Sequence, residues 1–399
     1  MSTRLRAAVI GLVALATVSA MAGSAAAAPG RLDPTFAGDG IRDAIPRFGS
    51  GADLVVLPDN RILLADSRFG VARLLVNGRS DGTFGTGGVT KGPFPHDDSQ
   101  RATDMATGGD GRVLVIGTLQ HEALLGAAAY RANGRRDTSF SGDGILRLTC
   151  GPRPFCGPPA VAIQPDDRIV IVTWEGGFVI QRLLPNGSPD TTFAHNGVFN
   201  MRVGVCCPTS TAAVALEHDG DILAAGGGQL AELTPAGRLV PGFGDHGIAH
   251  LPSATNPLAP AAIAIDGSGR ILADGSDDDW FVERFSPTGH LDGSFGTNGV
   301  RRVSLLGQDI TTDMALQDGG RIVVVGGTYN QTESGDFRPA MLRLLPDGAI
   351  DRSFANAGKL IVRNLHGFAE GVGLQDSPRA RILVAGGEGA FAVAAYHAS

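Results

Sequence analysis

The sequence predicts an all-β fold: a seven-bladed β-propeller with an N-terminal strand closing the last blade. Three observations carry this. A phenylalanine recurs at Phe36, Phe84, Phe140, Phe193, Phe243, Phe295 and Phe354, roughly every 53 residues, and a fixed period of that size marks a solenoid, a propeller or an array. Apolar runs opening at Ile62, Val113, Ile169, Ile222, Ile271, Ile322 and Ile382 keep the same period. Glycine is abundant, 58 of 399 residues, without a collagen period, and no stretch shows a helical apolar pattern. Short strands joined by many turns satisfy all three.

Each unit reads in the same order. A first strand such as Val161–Gln164 ends in a turn rich in Asp, Gly and Pro, as at Pro58-Asp59-Asn60 or Gly109-Asp110-Gly111, residues that tolerate tight hairpins. The second strand, for example Ile169–Val172 or Ile322–Val325, is apolar without alternation, which means burial on both faces. The third strand carries an arginine at one position, Arg73, Arg182, Arg284 or Arg343, replaced by Ala129, Glu232 and Ala395 in the remaining units. Glu232, between units that carry Arg182 and Arg284, is expected to pair with them. The closing segment has Asp three residues after a turn glycine (Asp33, Asp81, Asp137, Asp190, Asp292, Asp351), usually Ser or Thr two later, then Phe, then Gly. A short carboxylate there holds backbone N–H groups, and Phe fills the space between packed sheets. One unit has Val240 for Asp and Gly242 for Ser/Thr, and its corner is expected to be looser.

The two ends of the chain fit together. The last unit stops after its third strand, and the closing segment it lacks stands near the start, at Gly30-Arg31-Leu32-Asp33-Pro34-Thr35-Phe36. Pairing them covers an open sheet edge. The expected blades lie near 53–88, 104–144, 160–197, 213–247, 262–299, 313–358, and 371–399 plus 31–40.

Residues 1–27 read as a secretory signal: Arg4 and Arg6, an apolar run Ala7–Val18, and small residues Ala25–Ala28 for cleavage after Ala27. The run is shorter than a membrane span needs, so the mature chain, 28–399, is expected to be secreted with no membrane span. Losing two arginines deepens the formal charge of −7. The basic residues are scattered singly, which argues against nucleic acid as a partner. In an oxidising compartment Cys150, Cys156, Cys206 and Cys207 are expected to form disulfides. Two bridges between neighbouring units are favoured over Cys150–Cys156 with a vicinal Cys206–Cys207 pair, and zinc is the further alternative.

The segments QPDDRIVIV (164–172), LPDGAIDRSF (345–354) and PTGHLDGSFGTNG (287–299) resemble the delta-60 repeat family of β-propeller repeats. The resemblance covers essentially the whole mature chain and implies the propeller fold. It brings no catalytic or binding residues. Val240, Glu232, Ala129 and Ala395 depart from its pattern.

No GxSxG, P-loop or HExxH motif is present. Aligning the first strands places Asp53, Asp104 and Asp313 at one position, where the innermost strand of each blade faces the central channel. Such a ring offers oxygen ligands suited to Ca2+ or a polar ligand; the alternative is that the carboxylates face channel water or cap backbone groups. No other cofactor is expected. The longest loop between second and third strands, Thr328–Pro339, carries Tyr329 and Phe337 and is the candidate interaction loop. Exposed aromatics are expected near Phe94, Tyr329 and Phe337. The function read from these features is a secreted, monomeric, non-enzymatic scaffold that binds a protein or glycan partner. The alternative is an extracellular lyase or hydrolase with its site at the channel mouth.

Overall fold

The computed structural model describes residues 28–43, 45, 51–94, 99–119, 124–149, 157–202, 211–253, 260–329, 337–362, 367–376, 380–387 and 391–399. The four cysteines and the signal segment 1–27 lie outside these residues. The described chain forms seven four-stranded antiparallel sheets. Their inner strands are Gly51–Val56, Arg101–Thr107, Ala160–Ile163, Ala212–Leu216, Ile263–Ile265, Gln308–Leu316 and Ala369–Gln375. Each inner strand lies against that of the next blade, and the seventh lies against the first, so the ring is closed.

The second strands are buried on both faces, as their unbroken apolar runs predict: every residue of Ile62–Asp66, Ile169–Trp174 and Ile222–Gly226 is buried. The core is therefore seven seams between sheets. In one seam Val170, Val172, Phe178 and Ile180 of blade three meet Ile222, Ala224 and Leu233 of blade four. All seven periodic phenylalanines are buried, none more than 1% exposed. Four residues after each stands a glycine with φ between 81° and 99° (Gly40, Gly88, Gly144, Gly197, Gly247, Gly299, Gly358), a region that costs a side chain but not glycine.

The ends close the ring as the sequence indicates. Ile41 and Arg42 pair antiparallel with Ala394 and Val393 as the outer strand of blade seven. The Asp33 amide donates to the Ala395 carbonyl at 2.8 Å, and Arg381 binds the Asp33 carboxylate at 2.7 Å.

Blade four corrects two expectations. Glu232 does not pair with the flanking arginines. Arg182 is held by Asp190 at 2.9 Å and Arg284 by Asp292 at 2.8 Å, whereas Glu232 shares a hydrogen bond with Asp221. The Val240 corner keeps the backbone bonds of its sisters: the Val240 amide donates to Glu232 O and the Phe243 amide to Val240 O, both at 3.0 Å. Only the side-chain brace is missing, because valine has no oxygen to offer.

Candidate functional site

The inner strands of blades one, two, six and seven carry a register shift between Gly51 and Asp53, Ala102 and Asp104, Thr311 and Asp313, and Ala369 and Gly371. The extra residue of such a bulge is unpaired and re-aimed. Here it is Ala52, Thr103, Thr312 or Glu370, and all four line the mouth of the central channel. Two of them tie blades together: Thr103 donates to the Pro159 carbonyl at 2.8 Å, and Thr312 to the Ala369 carbonyl.

The residue after the bulge is the ring position. The structure brings Asp53, Asp104 and Asp313 together in the channel, each partly exposed to the lumen. Each uses one carboxylate oxygen for the next amide of its own strand and the other for the matching amide of the next blade. Asp53 accepts from Leu54 at 2.6 Å and Met105 at 3.0 Å. Asp104 accepts from Met105 and Val161, both at 2.7 Å. Asp313 accepts from Met314 at 2.7 Å and Val372 at 2.8 Å. Backbone capping between blades therefore describes the three carboxylates. At the seventh position Gly371 serves differently, since a Cβ there would meet the Leu54 nitrogen at 3.0 Å.

Crowding by protein sets the charge of this ring. Burial, then the charges of Asp104 and Asp313, push Asp53 well above the usual carboxylate range. Burial raises Asp104 to about 6 and Asp313 to about 7, against the lowering effect of their amide bonds. Asp274, fully buried beside them and accepting from the Ala262 amide at 2.7 Å, is raised to about 8.

Above the ring a cavity of about 1150 Å3 opens, touched by all seven inner strands. Its wall includes Glu370, Arg101, Gln308, Thr312 and Phe368. Burial raises the Glu370 carboxyl, opposed by the Arg101 guanidinium. Phe368 stacks on Phe337 at 4.5 Å, and Phe337 leans on Tyr329 at 5.5 Å. This aromatic row rests on Gly327, where a Cβ would lie 2.5 Å from the Phe368 ring. The candidate loop aromatics, each half-buried, pack one on the other and through Phe337 onto the cavity-wall residue Phe368, and residues 330–336 of that loop lie outside the described residues. Phe94 is a correction: it is 4% exposed, packed edge-on against Phe69 at 4.9 Å and covered by the Arg147 guanidinium.

Among the described residues no group of three or more His, Cys, Asp or Glu is arranged to hold a metal ion, and no helix is long and apolar enough to cross a membrane. Sequence reasoning missed Glu370 and Phe368. The position before the ring residue reads Ala52, Thr103, Pro159, Ala212, Ala261, Thr312 and Glu370, so the repeat alignment shifted by one would have shown Glu370 as its lone acid.

Two segments, 164–193 and 317–354, match the model of a β-propeller domain of unknown function, DUF5122. The chain is thus a seven-bladed propeller containing repeats of a propeller family. No curated protein matches it. Among solved structures it is similar to a virginiamycin B lyase from Staphylococcus aureus, at 11% identity and TM-score 0.54 over 88% of this chain and 97% of that one. It is similar to the WD40 propeller domain of Doa1, at 11% identity and TM-score 0.55 over 90% and 96%. It is also similar to YCF48 bound to a D1 peptide, at 11% identity and TM-score 0.50 over 92% and 99%. At such identities the likeness is one of fold.

Proposed function

We propose that the protein is a secreted, non-enzymatic propeller that binds a glycan at the mouth of its channel. The observation that carries this reading is the division of labour between ring and mouth. The ring carboxylates are occupied with amides of adjacent blades, while the cavity above them offers an aromatic row ending at Phe368 beside a bulge-borne carboxyl and several hydroxyl and amide groups. Few polar groups set around an apolar surface are what a small-ligand site requires. A sugar presents an apolar C–H face for the ring and hydroxyls for Glu370, Gln308 and Thr312. Among the propellers it resembles, one is named a lyase and one is bound to a peptide, so fold alone does not choose between catalysis and binding.

A glycan array followed by calorimetry on the best hit tests the reading. Phe368→Ala should weaken binding by about tenfold or more, a loss of some 1.4 kcal/mol, and Glu370→Gln should weaken it less. Product formation from a bound glycan would move the protein to the enzyme alternative, and an empty array would end the glycan reading. Melting in chelator and in added Ca2+ tests whether the ring holds calcium; an unchanged melt removes that role. Secretion predicts that protein recovered from the culture medium begins at Ala28.

A further inference from the structure

The cavity at the channel mouth is acidic on almost every side. Besides the ring residues Asp53, Asp104 and Asp313, its described wall takes in Asp277, Asp278, Asp309 and Glu370, and the one base in it is Arg101. Two of these acids are engaged within the protein. Asp277 binds Arg302 at 2.6 Å. Asp309, 1% exposed, accepts the Leu305 amide at 2.7 Å and the Thr328 hydroxyl. Asp278 is exposed and Glu370 half-buried. Arg101, itself exposed, is the one charge that works against the raising of the Glu370 carboxyl by burial.

Two further features of the same wall point to a ligand. One is Phe368, which stands two residues before Glu370 and ends the row formed with Phe337 and Tyr329. An aromatic face beside a carboxylate attracts an ammonium group through the ring and the charge together. The other is a pair of unpartnered polar atoms. Thr311 is 4% exposed, and its hydroxyl has no hydrogen-bond partner among the described residues. Gln100 Oε1 is likewise buried without a partner, and both residues line the cavity. The Gln100 Nε2 donates to the Phe94 carbonyl at 2.8 Å, so the atom left over is an acceptor. A buried acceptor without a donor is costly, and a ligand rich in N–H and O–H groups supplies what is lacking.

We propose that the glycan taken at the channel mouth is an amino sugar of the glucosamine type, with its amine free and protonated. This rests on the glycan reading and adds the charge of the ligand to it. A pyranose lies on Phe368 with its ammonium toward Glu370, and hydroxyls along the oligosaccharide reach toward Thr311 and the Gln100 oxygen. The cavity, about 1150 Å3, has room for more than one sugar unit. A uronate or sulfated sugar would bring further negative charge to a wall with a single arginine, and like charges set against one another are selected against. N-acetylation removes the charge and with it the attraction.

The test is calorimetry on the mature protein with the glucosamine tetramer, its N-acetyl counterpart, cellotetraose, tetragalacturonate and spermidine in separate arms. The glucosamine tetramer should bind at least about tenfold more tightly than the N-acetyl tetramer or cellotetraose, and the uronate most weakly. Added salt should erode that advantage. Glu370→Gln should weaken the glucosamine tetramer about fivefold and leave cellotetraose unchanged, whereas Phe368→Ala should weaken both about tenfold. Thr311→Val should weaken the tetramer without lowering Tm, because the hydroxyl bonds nothing inside the protein. Cellotetraose or the N-acetyl tetramer binding as tightly as the glucosamine tetramer would overturn the amine and leave the glycan reading standing. No response to any sugar would overturn both. Spermidine binding as tightly as the tetramer, unmoved by Phe368→Ala, would show attraction of charge without a sugar site and would also overturn the proposal.

Discussion

Asp190 shows how one short carboxylate holds a propeller corner. It accepts the Thr192 amide at 3.0 Å and hydroxyl at 2.6 Å, and binds Arg182 at 2.9 Å and Arg168 at 3.0 Å. Burial works against its ionisation, but these bonds outweigh it and hold the carboxyl below its usual range. Asp190→Ala would strand the buried Arg182 charge, and the expected cost is about 3–5 kcal/mol. Thr192→Val removes one neutral partner and should cost about 1 kcal/mol. Urea midpoints at constant slope measure both; a loss in Asp190→Ala no larger than in Thr192→Val would show that the pair does not brace the corner. This much was legible in the sequence, because the segment is local: carboxylate, hydroxyl, ring and glycine stand within eight residues of one another. Phe94 was not. It is buried by Phe69 and Arg147, which come from other strands, and no local pattern announces that.

At the scale of the element, strand type was readable and strand irregularity was not. Unbroken apolar runs announced the second strands, and the missing last segment announced the strand at Ile41–Arg42. The four bulges left no comparable trace in the apolar pattern, since the shift lies in how each first strand pairs with the second strand of its own blade. Yet the bulges place Thr103, Thr312 and Glu370 at the mouth and so determine the candidate site. The two threonines contribute to the seams between blades. Thr103→Val and Thr312→Val should each lower stability by about 1 kcal/mol. Because they sit in different seams, their effects should add within a few tenths of a kcal/mol. A double variant as stable as either single one would show that one of the hydroxyl contacts carries nothing.

At the scale of the whole molecule, two rings of aspartates respond to pH in opposite senses. The outer ring sits at the blade corners. Asp33 and Asp81 are lowered to about 2, as hydrogen bonds from Thr35 and Arg381, and from Thr83 and Arg73, outweigh burial. A carboxyl with a depressed folded pKa stabilises fully above its unfolded value near 3.8 and loses that contribution as pH falls toward about 2. The inner ring behaves conversely. Asp104, Asp313 and Asp274, raised by burial to about 6, 7 and 8, bind more protons folded than unfolded once pH exceeds about 4. Stability must then fall as pH climbs through those values. The two trends leave a maximum in Tm in mildly acidic solution, about pH 4 to 6. Lumen water screens part of the inner effect, so the alkaline slope should be the shallower one. Asp313→Asn removes one titrating group and should flatten that slope while lowering Tm at pH 5, because the NH2 of asparagine cannot accept one of the two N–H bonds from Met314 and Val372 that the two carboxyl oxygens accept. Calorimetric scans from acid to mildly alkaline pH decide it. A wild-type Tm that is flat or rising from pH 5 to pH 8 would mean that the channel carboxyls are as free to ionise as any on the surface, and that burial does not outweigh the amide bonds that favour their charged form.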